Sequence, residues 1–499
     1  MSILVGLTKN MSRYARAVAL FVVLSTAPAH LEPRISVTVN PYNELVVAIK
    51  PAIHFRFGCQ YPMTYQIGIP EGSTGLKVER RRTGTESWEV LPEKTPIDLF
   101  NAIEAVRFDY AHGRALVSAA FVGESDSLFI RITDATGFAV APHYEGISKY
   151  YDDRRAAVTV TGDDCADWSS AWFPSILSVF RSYGLYVTAG IITGQGWCST
   201  TTWSILQKEV DSGYVELASH SRTHPYIPYA DPTGEVVGSA LDIVDHVRLP
   251  PLFASGGRHF VYVWIAPYGE YDSAIDSLVS ARKYIVPRLY TNVGDSTFSG
   301  WEEHQQHFAP INPTLEIGAP SWGGGTTDTN ILNGTFDEIV AQGGIYHFMW
   351  HPQVINADLT KGYFLNHLEH VSSRRDIWYV NLGHLYLYRL LGLPDSSGPA
   401  SASPMAERPN AFELFQNYPN PFNPVTCIEY RISNTEQVTL RVYDVLGREV
   451  AVLVNERKAP GNYTVQFNAR LTTGLASGVY FGRLTAGGYI ESRKMVLMK

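Results

Sequence analysis

The stretch Val158-Thr-Val-Thr-Gly-Asp-Asp-Cys165 decides the fold and locates the chemistry. Its β-branched residues predict a buried strand that runs directly into Asp163 and Asp164. In α/β barrels and sheets, polar side chains at the carboxyl ends of strands carry the chemistry. Two adjacent carboxylates repel each other unless a cation, a shared proton or solvent relieves them. On this stretch alone, a solvated Asp-Asp turn is the simpler interpretation.

A second stretch, Glu216-Leu-Ala-Ser-His-Ser-Arg-Thr-His224, is another short strand that ends in polar residues. Pro225 disfavours helical geometry at His224, so the His220/His224 pair is predicted on a turn rather than within a helix. Two imidazoles and one carboxylate form the three-ligand, open-position site that is typical of catalytic zinc and similar divalent metals. Two solvated surface histidines are the alternative.

Residues 154–392 alternate between predicted strands and helices, which indicates parallel strands joined by right-handed crossovers. A barrel and a doubly wound sheet both fit this rhythm. In either one, the carboxyl ends of the strands share one face. Two further polar segments, Ala266-Pro-Tyr-Gly269 and His351-Pro352, also follow predicted strands, so they are expected to join the carboxylates and histidines there.

Length, composition and charge restrict the number of domains, the class of protein and its partners. A chain of 499 residues predicts two or three domains, and 45% hydrophobic with 18% charged residues describes a globular protein. The net charge of −8 argues against nucleic acid or an anionic membrane as the main partner. The four cysteines have no Cys-x-x-Cys spacing, which argues against a structural zinc knuckle.

Residues 1–29 are predicted to be a signal peptide. Basic residues precede the apolar run Ala17–Leu24, and Ala27-Pro-Ala29 offers a small-x-small cleavage site. The run is too short for a permanent membrane helix, and no later stretch reads as transmembrane. An exported protein can form disulfides. Cys165 and Cys198 are the pair to test, with two unpaired thiols as the equal alternative.

β-Rich segments flank the alternating region. Residues 32–150 predict an N-terminal β-sandwich, in which Tyr61, Tyr65 and Trp88 belong either to the core or to a sugar-binding face. A Pro/Ser/Gly/Ala-rich linker is predicted at 393–410, and a second small sandwich at 411–499.

The ordered motifs of the alternating region resemble the polysaccharide deacetylase family, the NodB-homology group or carbohydrate esterase family 4. The matching segments are Thr161-Gly-Asp-Asp164, His220-Ser-Arg-Thr-His224, Ala266-Pro-Tyr-Gly269, His351 and the closing Ile377-Trp-Tyr-Val380 with Gly383. The resemblance implies an irregular (β/α) barrel over residues 151–392 and a divalent metal, zinc first, with cobalt, nickel or manganese as alternatives. By position in these motifs, Asp163 matches the catalytic base and His351 the general acid. Tyr268 supplies a backbone N–H to the oxyanion, and the metal ligands are Asp164, His220 and His224.

The sequence also departs from the family pattern. Gly162 stands where the family has an aromatic residue, and Ile265 stands where it has an arginine that pairs with the catalytic aspartate. Arg222 or Arg258 is the candidate replacement for that arginine. For the Asp-and-Trp fourth motif, Asp295 and Trp301 are the candidates, with a solvated loop as the simpler interpretation. His347 competes weakly with His351 for the role of general acid, because the period of two places both on one face of a strand.

Residues 411–499 resemble the C-terminal sorting domain of the type IX secretion system, an Ig-like β-sandwich. The matching segments are Asn417-Tyr-Pro-Asn-Pro-Phe-Asn-Pro424, Val442-Tyr-Asp-Val-Leu-Gly-Arg448, Leu475-Ala-Ser-Gly-Val-Tyr480 and Lys494-Met-Val-Leu497. This resemblance implies the secretion machinery as a partner and a secreted or outer-membrane-surface location. An appended sugar-binding sandwich is the alternative.

The sequence therefore predicts a secreted, metal-dependent hydrolase that removes acetyl groups from an N-acetylated polysaccharide such as chitin or peptidoglycan. An O-deacetylase of the acetyl-xylan type would need the same apparatus. A catalytically degenerate module that only binds glycan is a hypothesis of a different class, motivated by Ile265 and by the unplaced fourth motif.

Overall fold

The computed structural model describes residues 35–393 and 412–498, apart from short gaps. These gaps are residues 50–52, 54–55, 59–60, 83–86, 96, 122–126, 250–253, 256–257, 291–293, 320–324, 416, 418–419, 459–460, 470–471 and 473–474. The predicted signal peptide (1–29) and all but the first residue of the predicted linker (393–410) lie outside the described residues.

The N-terminal region consists of ten short antiparallel strands. They are β1 Ile35–Val39, β2 Leu45–Ile49, β3 Met63–Gly68, β4 Lys77–Arg81, β5 Glu89–Val90, β6 Ala105–Asp109, β7 Arg114–Ala119, β8 Ser127–Thr133, β9 Ala139–Val140 and β10 His143–Ile147. One sheet has the order β1-β2-β8-β4-β5 with β9 beside β8, and the other has the order β10-β3-β7-β6. Along β2, buried Leu45, Val47 and Ile49 alternate with half-exposed residues, as a strand with one core-facing side requires.

The aromatic residues of this region do not share one exposed face. Tyr65 is fully buried in the hydrophobic core. The Trp88 ring lies near the guanidinium groups of both Arg81 and Arg131, at 4.7 and 4.2 Å from its centroid. Tyr61 is partly buried and its ring lies against His384 of the central module. The core interpretation thus holds for Tyr65.

The central module alternates strands with helices. Its strands are β11 Ala156–Cys165, β12 Val187–Ile191, β13 Val215–Ser219, β14 Ala254–Ser255, β15 Arg258–His259, β16 Val263–Ile265, β17 Val286–Arg288, β18 Trp301–Glu302, β19 His307–Phe308, β20 Leu315–Ile317, β21 Gly325–Thr326, β22 Ile345–Trp350 and β23 Ile377–Tyr379. Its helices are α1 Phe173–Ser182, α2 Thr200–Asp211, α3 Ser239–His246, α4 Ser273–Arg282, α5 Thr329–Ala341, α6 Pro352–Ile355, α7 Gly362–Val371 and α8 Leu382–Leu391. A π-helical turn, Gly234–Gly238, leads into α3.

Nine of these strands form one parallel sheet with the order β17-β16-β13-β12-β11-β22-β20-β21, in which β23 also pairs with β11. At one end of this order, Arg288 of β17 forms a parallel bridge with Ile311, in the segment that leads into β20. The sheet is a curled half-barrel, which agrees in part with the irregular barrel that the sequence predicted. β11 is at its centre, and nine of its ten residues are buried. Its near-continuous apolar run is typical of a strand covered on both faces.

The helices of the central module follow their sequence signals. In α1 the buried residues Phe173, Ile176, Leu177 and Phe180 recur at helical spacing, and the chain reverses at Gly184 with φ +70°. Ser199 caps α2 and Asp272 caps α4, each accepting hydrogen bonds from backbone N–H groups of the first turn. These local signals fix where each crossover begins and ends.

The N-terminal sheets and the central module share one hydrophobic core, which runs from Leu45 to Leu391. Hydrogen bonds also join them: the Tyr388 hydroxyl donates to the Ser148 carbonyl at 2.9 Å, and the Tyr262 hydroxyl donates to the Phe57 carbonyl at 2.7 Å. Because the N-terminal sheets and the central module bury apolar surface against each other, the N-terminal region helps to stabilise the central module.

The C-terminal region has its own core. Its strands are β24 Glu413–Leu414, β25 Val425–Ile432, β26 Glu436–Asp444, β27 Glu449–Lys458, β28 Gly461–Asn468, β29 Gly478–Ala486 and β30 Tyr489–Leu497. They form one sheet with the order β24-β25-β28 and a second with the order β27-β26-β29-β30. Buried Val438, Leu440 and Val442 alternate along β26 and pack into this separate core.

Cys165 and Cys198 are buried and not bridged, so the prediction that they pair is wrong and the alternative of two free thiols holds. Burial raises the pKa of both thiols, that of Cys198 to about 12, which keeps them protonated and unreactive at neutral pH. No helix in the described part of the chain is long and apolar enough to cross a membrane.

Candidate active site

Three side chains converge where β11 and β13 end. The Asp164 Oδ1 atom lies 3.4 Å from His220 Nε2 and 3.3 Å from His224 Nε2, and the two Nε2 atoms are 3.1 Å apart. All three ligand-type atoms lie within 4.8 Å of one another. Asp164 and His224 have the positive φ angles of 56° and 55° that are rare outside glycine, so the surrounding structure holds both in place.

Backbone contacts orient the two histidines. His220 Nδ1 lies 2.9 Å from the Ile265 carbonyl, to which a protonated Nδ1 donates, so the Nε2 lone pair faces the cluster. The His224 N–H donates to Ser221 Oγ at 2.9 Å. The Glu235 carboxylate accepts from the N–H groups of Arg222 and Thr223 and thereby folds the intervening turn. The pair lies on a turn, as Pro225 predicted.

The electrostatics of the cluster favour the protonation states in which Asp164 and His224 can bind a metal. Burial, followed by the neighbouring His220, lowers the pKa of His224 to about 4, so this imidazole is neutral at pH 7. Burial opposes ionisation of Asp164, but the hydrogen bond and charge of His220 outweigh it and hold the pKa of Asp164 below its usual range. A carboxylate and neutral imidazoles form the donor set that a divalent cation such as zinc prefers.

Asp163 points to a different partner from that of Asp164. It is 4% exposed and its Oδ1 accepts from the guanidinium of Arg288, which is fully buried. Arg288 ends β17, and the strand register places it beside Ile265 at the end of β16. The arginine missing at position 265 is thus supplied from the adjacent strand.

Of the two replacements suggested by the sequence, only Arg222 can be compared with the structure. Arg222 pairs with Asp242, donating from its Nε and Nη2 atoms at 2.7 Å each. The side chain of Arg258 lies outside the described residues. A signal for Arg288 is visible in retrospect: it is a single charged residue at the end of the apolar run Tyr284-Ile-Val-Pro-Arg288. Buried charges of this kind are rare unless they are paired.

The glycine at position 162 is also explained by a residue on a neighbouring strand. Gly162 pairs in register with Trp350 of β22, and a Cβ atom at position 162 would lie 2.4 Å from Trp350 Cζ2. The indole ring therefore occupies the space that an aromatic residue at position 162 would take. Trp350 is fully buried, so it cannot move aside without disturbing the core.

His351 follows β22 directly and contacts a buried carboxylate. Its Nδ1 atom lies 2.7 Å from Glu316 Oε1, and Glu316 Oε2 accepts from the Tyr290 hydroxyl at 2.7 Å. Burial opposes the charged imidazolium, but Glu316 and the charge of Asp163 outweigh it and raise the pKa of His351. His351 therefore keeps its proton to a higher pH than an ordinary histidine.

The candidates for the fourth motif contact neighbouring residues other than His351. Asp295 accepts from the backbone of Asn312 at 2.7 Å, and Trp301 donates to Glu303 at 2.9 Å. The carboxylate beside His351 is that of Glu316, the one charged residue of β20, Leu315-Glu-Ile317. Its buried position within an apolar strand is the signal that sequence reasoning missed.

His347 is 2% exposed and its Nε2 atom lies 3.0 Å from Thr161 Oγ1. Burial, followed by the charge of Arg288, lowers its pKa well below the ordinary value. A buried, neutral histidine is a poor proton donor, which leaves His351 as the acid candidate. Tyr268 lies beside the cluster with φ 56°, and its ring meets the His224 ring edge-on at 4.4 Å.

Comparisons with known proteins agree with the sequence motifs. The sequence model of the polysaccharide deacetylase family matches residues 151–285, and that of the secretion system C-terminal sorting domain matches residues 416–498. Among curated proteins, none matches the chain.

The solved structures that match part of this chain are distant from it in sequence. A Mycobacterium smegmatis structure designated a polysaccharide deacetylase is 12% identical, covers 50% of this chain and 96% of its own, and has a TM-score of 0.36. An allantoinase is 11% identical over 47% of this chain and 90% of its own, with a TM-score of 0.36. A pseudoenzyme of the same esterase family from Bacillus anthracis is 13% identical over 46% of this chain and 65% of its own, with a TM-score of 0.28. The two family models thus identify a segment similar to polysaccharide deacetylases at residues 151–285 and a secretion-system C-terminal sorting domain at residues 416–498.

Proposed function

We propose that this protein is a secreted, divalent-metal-dependent hydrolase that removes acetyl groups from N-acetylated polysaccharide of the chitin or peptidoglycan kind. One observation carries the proposal: the cluster of Asp164, His220 and His224 lies next to a buried Asp163–Arg288 pair and a His351–Glu316 pair. Ligands, a base and an acid with supporting partners are the parts that hydrolysis of an acetyl group needs.

Asp164 and the Nε2 atoms of His220 and His224 would hold the metal, and zinc best suits this donor set. The convergence of three lone-pair-bearing atoms fits a cation, since His220 already uses its Nδ1 atom on the Ile265 carbonyl. A cation bound there supplies Lewis-acid chemistry, which polarises a carbonyl and lowers the pKa of water to about 7.

The protein's own residues then divide the proton transfers. Asp163 accepts the proton of the attacking water, and Arg288 fixes the orientation of this carboxylate and offsets the cost of burying its charge. The backbone N–H of Tyr268 donates to the oxygen of the acetyl carbonyl as negative charge develops on it. His351, kept protonated by Glu316, donates its proton to the departing nitrogen. The products are acetate and a free amine.

Two alternatives remain distinguishable. An O-deacetylase of the acetyl-xylan type would use the same residues, with a sugar hydroxyl as the leaving group. The degenerate glycan-binding module was motivated by Ile265 and by the missing fourth motif. The contact of Arg288 with Asp163 and that of Glu316 with His351 support an active enzyme.

The sorting domain indicates a secreted or cell-surface protein. We propose that residues 1–29 are removed as a signal peptide and that the domain at 411–499, after the linker at 393–410, engages the type IX secretion machinery. The N-terminal domain at 32–150 would travel with the catalytic domain at 151–392, because the two share one core.

The test is release of acetate by the purified full chain, metal-stripped and then reloaded with zinc, cobalt, nickel or manganese. The substrates are chitin oligomers, peptidoglycan and acetyl-xylan. Metal-dependent release from an N-acetylated polymer is the expected result, whereas release from acetyl-xylan alone would establish the ester alternative. Bound metal without release from any polymer would contradict the enzyme proposal.

A further inference from the structure

Two tyrosines form a stacked pair beside the metal-ligand cluster. The rings of Tyr226 and Tyr268 lie with centroids 3.7 Å apart and planes 7° from parallel. The inner ring, Tyr268, meets the imidazole of His224 at 4.4 Å. The stack therefore starts at one ligand-type side chain and extends outward from it.

The outer ring is open to solvent. Tyr226 is 63% exposed and Tyr268 is 45% exposed. Single exposed aromatic residues are common, and Tyr42 in the N-terminal region is one, at 76%. The Tyr226/Tyr268 pair differs because two large exposed rings are contiguous with each other and with the cluster. Contiguous exposed apolar surface is typical of a binding site.

The pair is also held rigidly. The Glu270 carboxylate accepts from the Ile227 N–H at 2.8 Å, and so ties the loop that follows β13 to the loop that follows β16. The positive φ angles of His224 and Tyr268 show that both loops are held in uncommon conformations. Rigid aromatic groups lose little conformational entropy on binding, which suits them to recognition.

We propose that Tyr226 and Tyr268 together form an aromatic platform for a pyranose ring of the polymer, next to the sugar that carries the scissile acetyl group. A pyranose ring with equatorial substituents presents a flat face of C–H groups, and such a face gains dispersion and hydrophobic contact on an aromatic ring. The site would then select a polysaccharide or oligosaccharide over a single acetylated sugar. This inference rests on the proposed function, which supplies the adjoining sugar.

The experiment measures binding and turnover with Tyr226→Ala, Tyr226→Trp and the matched control Tyr42→Ala in the full chain. Binding is measured by titrating zinc-loaded protein carrying Asp163→Asn with the chitin tetramer and with the N-acetylglucosamine monomer. Tyr226→Ala is expected to weaken tetramer binding about tenfold and monomer binding less than twofold. Tyr226→Trp should keep the affinity for the tetramer, and Tyr42→Ala should match the parent protein with both ligands.

The experiment distinguishes an error in the proposed platform from an error in the proposed deacetylase reaction. Suppose that the protein with Asp163 intact releases acetate, and that Tyr226→Ala binds the tetramer as tightly as the parent protein does. The platform is then wrong and the proposed reaction stands. A loss of affinity for tetramer and monomer alike assigns Tyr226 to the acetylated sugar itself and also overturns the inference. Selective loss of tetramer binding without acetate release from any polymer supports the platform and removes the proposed reaction.

Discussion

The candidate active site has two halves that are built differently. In the proposed ligand half, Asp164 lies at the end of β11, His220 and His224 lie on the turn after β13, and the ligand atoms are within 4.8 Å of one another. In the proposed proton-transfer half, Asp163 lies at the end of β11 and His351 follows β22, but their partners Arg288 and Glu316 come from other strands of the sheet. The first half is local in sequence and the second depends on strand neighbours. In this chain, the family motifs identify the residues at strand ends but not their partners on other strands.

Removing a residue from each half should separate the two roles and gives the largest effect. His220→Ala is expected to lose both the bound metal and turnover, because one of three ligands is gone. Asp163→Ala should keep the metal and lose at least about 10³-fold in kcat. Metal analysis of the purified proteins together with acetate release checks both. Equal metal content in the wild type and both variants would refute the ligand assignment.

Arg288→Leu tests the partner of the base. The variant should retain metal, lose about 10²-fold in kcat and be destabilised by about 3–5 kcal/mol, because it leaves the buried Asp163 without its partner. The exchange Ile265→Arg with Arg288→Ile should restore part of the activity, since the two positions are register neighbours.

The control for Arg288 is Arg107→Leu, which breaks the pair between Arg107 and buried Asp152, 2.8 Å apart in the N-terminal region. It should lower the midpoint of urea unfolding but leave kcat per folded molecule unchanged. If Arg288→Leu behaves in the same way, its guanidinium is structural only.

Glu316→Gln tests the partner of the acid. Since the pKa of His351 is raised, activity that needs its proton is present below that pKa and is lost as the pH rises through it. Without the Glu316 charge, burial lowers the pKa of His351, so the alkaline loss of kcat begins at a lower pH. We expect about tenfold less activity at pH 8 and a near-normal value at pH 6.

The matched control for Glu316 is Asp276→Asn, because Asp276 lies 3.3 Å from buried His307 outside the site. Its pH profile should coincide with that of the wild type. An unchanged alkaline limb in Glu316→Gln would show that His351 does not depend on this carboxylate.

Gly162→Ala gives the smallest effect and tests lateral packing directly. The new methyl group would meet the Trp350 ring at 2.4 Å, so we expect a loss of about 1–3 kcal/mol in the free energy of unfolding. Combining it with Trp350→Leu should recover part of this loss. Gly334→Ala is the control: in the interior of α5 no atom lies within 4 Å of its Cβ position, so this change should be neutral or stabilising.

Much of the architecture could be predicted from the sequence. The β-branched run before Asp163, the helical spacing of Phe173 to Phe180 and the alternation along β2 each reflect a short-range period. The irregular barrel is confirmed in part, as a curled parallel sheet in which Arg288 of β17 bridges Ile311, just before β20. The curvature of a sheet depends on twist and strand count, which no local period encodes.

The sequence by itself determined the strand ends and the polar residues there: Asp163 and Asp164 lie in the last residues of a strand, and His220, His224 and His351 follow a strand within five residues. Only the tertiary structure decided their partners. Arg288 beside Ile265 and Trp350 beside Gly162 are pairs created by the register of parallel strands, whose neighbours are separated by whole helices in the sequence. The free state of Cys165 and Cys198 was likewise decided by tertiary structure, because cysteine spacing does not fix pairing.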